Sequence, residues 1–441
     1  MTQLVASHTI LDGEVLGSVG VPDEGSYWLP WVAGVVWGAG TMISALWPEG
    51  VPRLTVDGLA LLVTALLLLS VNVRIVALWV MTPVGLLLVA HGAAAFLSAT
   101  IHDAPFSSVG RYGLLAPAYA MILGCVDRGW RSTRGLRGGL TVAAFSMVLY
   151  QLPEVDFARF LDPISRTGTL MGVNSIAFIS AMACISLLDY ALVRTKALGR
   201  SGIFGTSVLW MAVGASLLVC LATKSRTGIS ALLAGGLLRL YFWMGMTRAF
   251  LGLLAILVLA TGFLAGWISD LGDTVAVAFG LFQPDRSIYG GTGRFAAWGI
   301  IVDEIWLPNF WLGVGPVVAG RLIWRIALIP GAHNGLLAIL ADIGTLGALP
   351  ILVILGMAVR GAWRWRHEPA SHFPIVVLVG AVVESFAEQM FFSIGNPASL
   401  LFLLSIAMLT QGGPPESAPP THESRSFSLT GHQTTRSAVQ V

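Results

Sequence analysis

The sequence predicts an all-α polytopic membrane protein of about twelve transmembrane helices, with one large extracytoplasmic loop containing amphipathic interfacial helices. Three observations predict it. Of 441 residues, 56% are hydrophobic and 11% charged, and the mean hydropathy of +0.80 is too high to spread over a water-facing surface. Apolar runs long enough to cross a bilayer recur from 27 to 268 and again from 335 to 411. Between them lies a polar stretch, 269–334, far longer than the other connections.

The stretch 1–26 contains no Lys or Arg, and no small-residue cleavage pattern follows it. It reads as a cytoplasmic tail ahead of a retained signal-anchor. Requiring about 17–25 apolar residues per helix places spans at 27–46, 54–72, 75–96, 109–126, 136–152, 168–192, 203–222, 227–243 and 249–268. After the loop, 269–334, come spans at 335–359, 373–392 and 396–411. The stretch 412–441, rich in Pro, Ser, Thr and Gln, has no means of burying a core and is expected to be a disordered cytoplasmic tail.

Basic residues set the orientation, because Lys and Arg resist translocation. Arg128, Arg131, Arg134 and Arg137 fall at the fourth connection, Arg194, Lys196 and Arg200 at the sixth, Arg239 and Arg248 at the eighth, and Arg360, Arg364 and Arg366 at the tenth. The even connections and both termini are therefore expected in the cytoplasm, and the large loop outside. A net charge of +2 from scattered basic residues points to no nucleic-acid partner. Cys125, Cys184 and Cys220 each lie in an apolar run and read as buried thiols. No half-chain repeat and no matched pair of Gly/Pro-broken spans is visible, which weighs against a transporter or flippase.

Candidate chemistry sits on the outward side. Arg159, Arg166, Lys224 and Arg226 are retained there against the usual bias, as an anionic ligand or structural ion pairs would require. In Lys224-Ser225-Arg226-Thr227-Gly228 two cations meet the N-terminus of a helix, a plausible phosphate cradle. The same residues fit a snorkelling basic pair with Ser225 as helix cap. In the loop, Arg294 to Trp298 opens an amphipathic stretch, and Arg321 and Arg325 share a face of a second. Contact with lipid phosphates suits that second pair. His333 and Asn334 stand at the mouth of the next span. No Cys, Asp or second His stands at metal-ligand spacing from His333, so neither metal nor cofactor is expected. Glu384 and Glu388, four apart near the outer end of the eleventh span, read as counter-ions for outward arginines, or as bases in their own right. Asp342 reads as a helix-to-helix hydrogen-bonding residue and His91 as core.

Three short blocks resemble the O-antigen ligase family of bacterial membrane glycosyltransferases, which also includes O-antigen polymerases. They are Arg166-Thr167-Gly168 through Asn174-Ser175, with Val173 where the family has Pro; Ser225-Arg226-Thr227-Gly228; and Arg294 to Trp298 followed by Gly313, Gly315 and His333-Asn334. The resemblance implies transfer of a glycan from an undecaprenyl-pyrophosphate carrier to a glycan or glycolipid acceptor at the outer face of the bacterial plasma membrane. Arg226 and Arg294 would stabilise the leaving pyrophosphate without metal, and His333 would act as general base on the acceptor hydroxyl. Lys224, Ser225, Arg166, Asn174, Asn334, Arg321, Arg325, Glu384 and Glu388 would line the substrate. The blocks do not separate ligase from polymerase.

Overall fold

The computed structural model describes residues 27–46, 79–105, 109–156, 173–198, 203–245, 294–316, 318–327, 332–386, 388 and 396–411. Among these residues the secondary structure is entirely helical. We number the helices α1 (Trp28–Leu46), α2 (Pro83–Ile101), α3 (Leu115–Asp127), α4 (Trp130–Gln151), α5 (Val173–Leu198), α6 (Ile203–Ala222), α7 (Arg226–Met244), α8 (Arg294–Ile300), α9 (Val318–Ala327), α10 (Gly335–Trp365), α11 (His372–Ser385) and α12 (Pro397–Thr410). Within the described residues, five of them (α2, α5, α6, α7 and α10) are long and apolar enough to cross a membrane. The expected spans at 54–72 and 249–268 lie outside the described residues, as do the tails 1–26 and 412–441.

Burial differs from helix to helix. Nearly every residue of α5 from Ile176 to Leu192 is enclosed, as is all of α12 from Pro397 to Leu409. By contrast, α2 exposes Leu86, Phe96 and Leu97, α6 exposes Val208, Trp210 and Met211, and α10 exposes Leu349, Leu352 and Val353. Apolar outer faces of this kind suit contact with lipid chains. Packing of α1 along α4 depends on small residues: a Cβ on Gly139 would fall 2.1 Å from the Trp31 carbonyl oxygen. Cys125, Cys184 and Cys220 are buried free thiols.

Helix boundaries depart from the hydropathy reading in two informative ways. Arg131, Arg134 and Arg137 belong to α4, Arg239 to α7, and Arg360 and Arg364 to α10, so none of these six lies in a connection. The spans read from hydropathy stop short of Arg131, Arg134, Arg360 and Arg364, whereas a helix continues as long as its backbone is satisfied.

The second departure is in α10, expected as one continuous span. It is broken at Gly344, which has φ 67° and ψ −167°. The segment Phe310–Gly315 fills the break. Val314 N and Gly315 N donate to the Ala341 and Asp342 carbonyls at 2.9 and 3.0 Å. In return Thr345 N and Leu346 N donate to the Phe310 and Trp311 carbonyls at 2.9 and 3.1 Å. Four main-chain groups that a broken helix would orphan are thus paired with a loop, the condition for a break at membrane depth. Ser98 of α2 secures the junction, its hydroxyl lying 2.6 Å from the Leu312 and 3.0 Å from the Asp342 carbonyl oxygen. Asp342 also accepts from the Tyr112 hydroxyl at 2.6 Å, and His91, fully buried, sets Nδ1 2.7 Å from the Gly347 carbonyl oxygen.

The described part of the large loop is therefore inserted among the helices as well as lying beside them. Helix α8 runs into a π-helical turn, Ile301–Trp306. Ala297, Ile301 and Ile305 pack with Ala319 and Ile323 of α9 and with Ala332 and Ala341 into a small core of their own. The opposite face of α9 exposes Arg321, Trp324, Arg325 and Ile326, the amphipathic division expected of an interfacial helix.

Candidate active site

Three helix N-termini meet at one place. Asn174 lies in the first turn of α5, Ser225 caps α7, and Asn334 caps α10. Each cap follows from residue type: a Ser or Asn oxygen can accept from the free N–H groups of the first turn. Ser225 Oγ accepts from Gly228 N, and Asn334 Oδ1 accepts from Leu337 N at 2.9 Å. Gly228 lets α7 approach α5 closely, since a Cβ there would fall 2.5 Å from the Ala177 Cβ. That approach sets Ser225 against Asn174.

A hydrogen-bond chain then crosses the site. Ser225 Oγ donates to Asn174 Oδ1 at 3.0 Å. The Asn174 amide nitrogen donates to Glu388 Oε1, and the other oxygen of the same carboxylate, Oε2, lies 3.4 Å from His333 Nδ1. Asn334 Nδ2 donates to the Phe386 carbonyl oxygen at 3.0 Å, tying the start of α10 to the end of α11. The Glu388 side chain is 7% exposed and that of His333 22%.

Beside the chain lie the cations. Lys224, 2% exposed, occupies a tight turn with φ +51°. The turn is fastened by Thr223, whose Oγ1 accepts from Ser225 N at 3.2 Å and donates to the Cys220 carbonyl at 2.6 Å. Arg226 is the first residue of α7 and half-buried. With three helix N-termini directed at the same region, these charges make a place suited to an anion carrying several oxygens.

Of the residues expected at the site, the structure brings together Asn174, Lys224, Ser225, Arg226, His333, Asn334 and Glu388; Glu384 is fully buried near the end of α11, whereas Glu388 lies beyond that helix and does not share its face as expected. Glu388 was expected to answer the outward arginines; His333 and Asn174 are among its partners. Arg321 and Arg325 stand on the exposed face of α9 and take no part in the chain of hydrogen bonds. Arg294 is the first residue of α8, its side chain outside the described part, and Arg166 lies outside the described residues altogether. Among the described residues no group of three or more His, Cys, Asp or Glu is placed to hold a metal ion. The sequence did not single out Thr223, or the pairing of Glu388 with His333 over 55 positions; only the shared outward placement of the two could have hinted at the latter.

Comparison with protein families matches residues 211–352 to the family described as O-Antigen ligase. The matched stretch holds Lys224, Ser225, Arg226, Arg294, His333 and Asn334, and it ends before Glu384 and Glu388. A search of curated proteins finds no match.

Proposed function

We propose, because residues 211–352 match the family described as O-Antigen ligase, that this membrane protein is a metal-independent, inverting glycosyltransferase. It moves a glycan from an undecaprenyl-pyrophosphate carrier to a hydroxyl of a glycan or glycolipid acceptor. The reaction takes place at the outer face of the bacterial plasma membrane. The observation that carries this reading is the His333–Glu388 pair standing beside the Lys224–Arg226 turn.

In this reading the imidazole takes the tautomer with Nδ1–H toward Glu388, which makes Nε2 the nitrogen that receives the acceptor proton. The acceptor hydroxyl oxygen attacks the anomeric carbon and passes its proton to His333. The bond from that carbon to the pyrophosphate oxygen breaks, and its electron pair leaves with undecaprenyl pyrophosphate. Lys224, Arg226 and the N–H groups opening α7 face the charge that grows on the leaving group. Arg294 supports the same oxygens from the loop. The imidazolium formed is stabilised by the Glu388 carboxylate. Attack opposite the leaving group inverts the anomeric centre.

The broken helix α10 is a feature shared with transporters, in which such breaks line a cavity. Here the described break is filled by main chain from the loop, which favours a rigid catalytic wall over a moving gate.

The test is the set of lipid-linked intermediates in a deletion strain. Accumulated long chains support a ligase, and accumulated single repeat units would mean that the protein is instead a polymerase of the same superfamily. No accumulation overturns both. In purified protein His333→Ala is expected to lower transfer by about 10²- to 10⁴-fold; unchanged transfer would remove His333 from the mechanism.

A further inference from the structure

His333 has φ +46°, a left-handed conformation that a residue with a Cβ rarely adopts. Such a backbone is strained and persists only where its surroundings over-determine it. On one side the restraint is plain: Asn334 caps α10 and is bound to Phe386. On the other, the indole Nε1 of Trp298 donates to the carbonyl of Ala332 at 2.9 Å. That carbonyl belongs to the peptide linking Ala332 to His333, so the indole grips the bond about which the imidazole is set. The grip is firm because Ala297 of α8, and Ile301 and Ile305 of the π-helical turn that continues it, share one small core with Ala332.

We propose that Trp298 is a positioning residue for His333. Its indole N–H fixes the Ala332–His333 peptide and so aims the imidazole between Glu388 and the acceptor hydroxyl. The proposal rests on the reading of His333 as general base. It gives α8 a task beyond presenting Arg294: the loop holds the base in place through the carbonyl of Ala332, 34 residues after Trp298. A displacement of about 1 Å at a reacting group can cost as much as about 100-fold in rate, so one hydrogen bond at this peptide has leverage on turnover.

The experiment compares Trp298→Phe, and a benzothienylalanine in place of Trp298 that deletes only the N–H donor, in the full-length protein. Both are assayed for transfer from lipid-linked glycan. The expected result is a fall in kcat of about 10- to 100-fold with KM for the donor nearly unchanged. In a His333→Ala background the same changes should cause no further loss. Hydrogen exchange over residues 332–337 should rise in both variants. An equal loss in both backgrounds, a loss confined to KM, or unchanged exchange would overturn the proposal. If exchange rises but His333→Ala leaves transfer intact, it is the assignment of His333 as base that fails. The benzothienyl variant keeps the ring's bulk and remains informative if Phe impairs folding.

Discussion

Among the described residues, three that are not glycine have positive φ: Asp103, Lys224 and His333. Two of the three are the cation and the imidazole of the candidate site, so the strain coincides with the chemistry. Residue identity made this place legible. A Ser-Arg pair at a helix start and a His-Asn pair at a span mouth are local patterns, and the structure brings them into one hydrogen-bonded neighbourhood. What sequence could not supply was the element joining them, because Glu388 reaches Asn174 across 214 positions and no local spacing encodes such a contact. At this scale Arg226 gives a sharp test. Lys keeps the charge but lacks the planar fork that can engage two phosphate oxygens at once. Arg226→Lys is expected to reduce transfer at least about ten-fold, the loss of one charge-assisted hydrogen bond, measured with purified protein and lipid-linked donor. Equal activity would argue against two-point contact with the pyrophosphate.

At the scale of the element, the break in α10 divides what is legible from what is not. Gly344 sits in an apolar run with helical periodicity, and hydropathy alone reads straight through it. The run from Leu312 to Pro316 announces a turn through its glycines, yet nothing in it names α10 as its partner. The two are complementary in space: a Cβ on Gly344 would fall 2.4 Å from Leu312 N, and one on Gly313 would fall 2.5 Å from the Ala341 carbonyl oxygen. Gly344 also has a backbone conformation confined almost wholly to glycine. Gly344→Ala is therefore expected to destabilise the protein by about 1–3 kcal/mol from backbone strain, with the collision adding to it. Thermal unfolding in detergent would measure this, and a midpoint equal to that of the unaltered protein would show that the junction tolerates a side chain.

At the scale of the whole molecule, chemistry and cohesion occupy opposite ends. Asp189 lies fifteen residues after Asn174 on α5, about 22 Å along the axis at 1.5 Å per residue. There it bridges Arg137 of α4, at 2.6 Å, and Arg239 of α7. The Arg137 guanidinium also lies 3.4 Å from the centre of the Phe373 ring of α11 and 4.2 Å from that of Tyr190. Four helices are joined where the site is not. The sequence showed the arginines but read them as cytoplasmic markers, since charge counting cannot see a buried acidic partner on another helix. Removing that partner leaves two enclosed guanidiniums, and Asp189→Ala is expected to cost about 3–5 kcal/mol. The check is a lowered unfolding midpoint in detergent. A midpoint within error of the parent would mean that the triplet contributes little to holding the bundle together.

The filled break in α10 also bears on how the chain is made. The ribosome delivers Phe310–Gly315 before it delivers Gly344, so the plug exists before the gap it will occupy. A helix entering hydrocarbon with four bare main-chain groups would be penalised by several kcal/mol for each. The favourable order of assembly is therefore loop first, with α10 closing around a segment already waiting at the membrane. Biogenesis, as much as catalysis, gives the protein reason to keep so long a loop directly ahead of this helix.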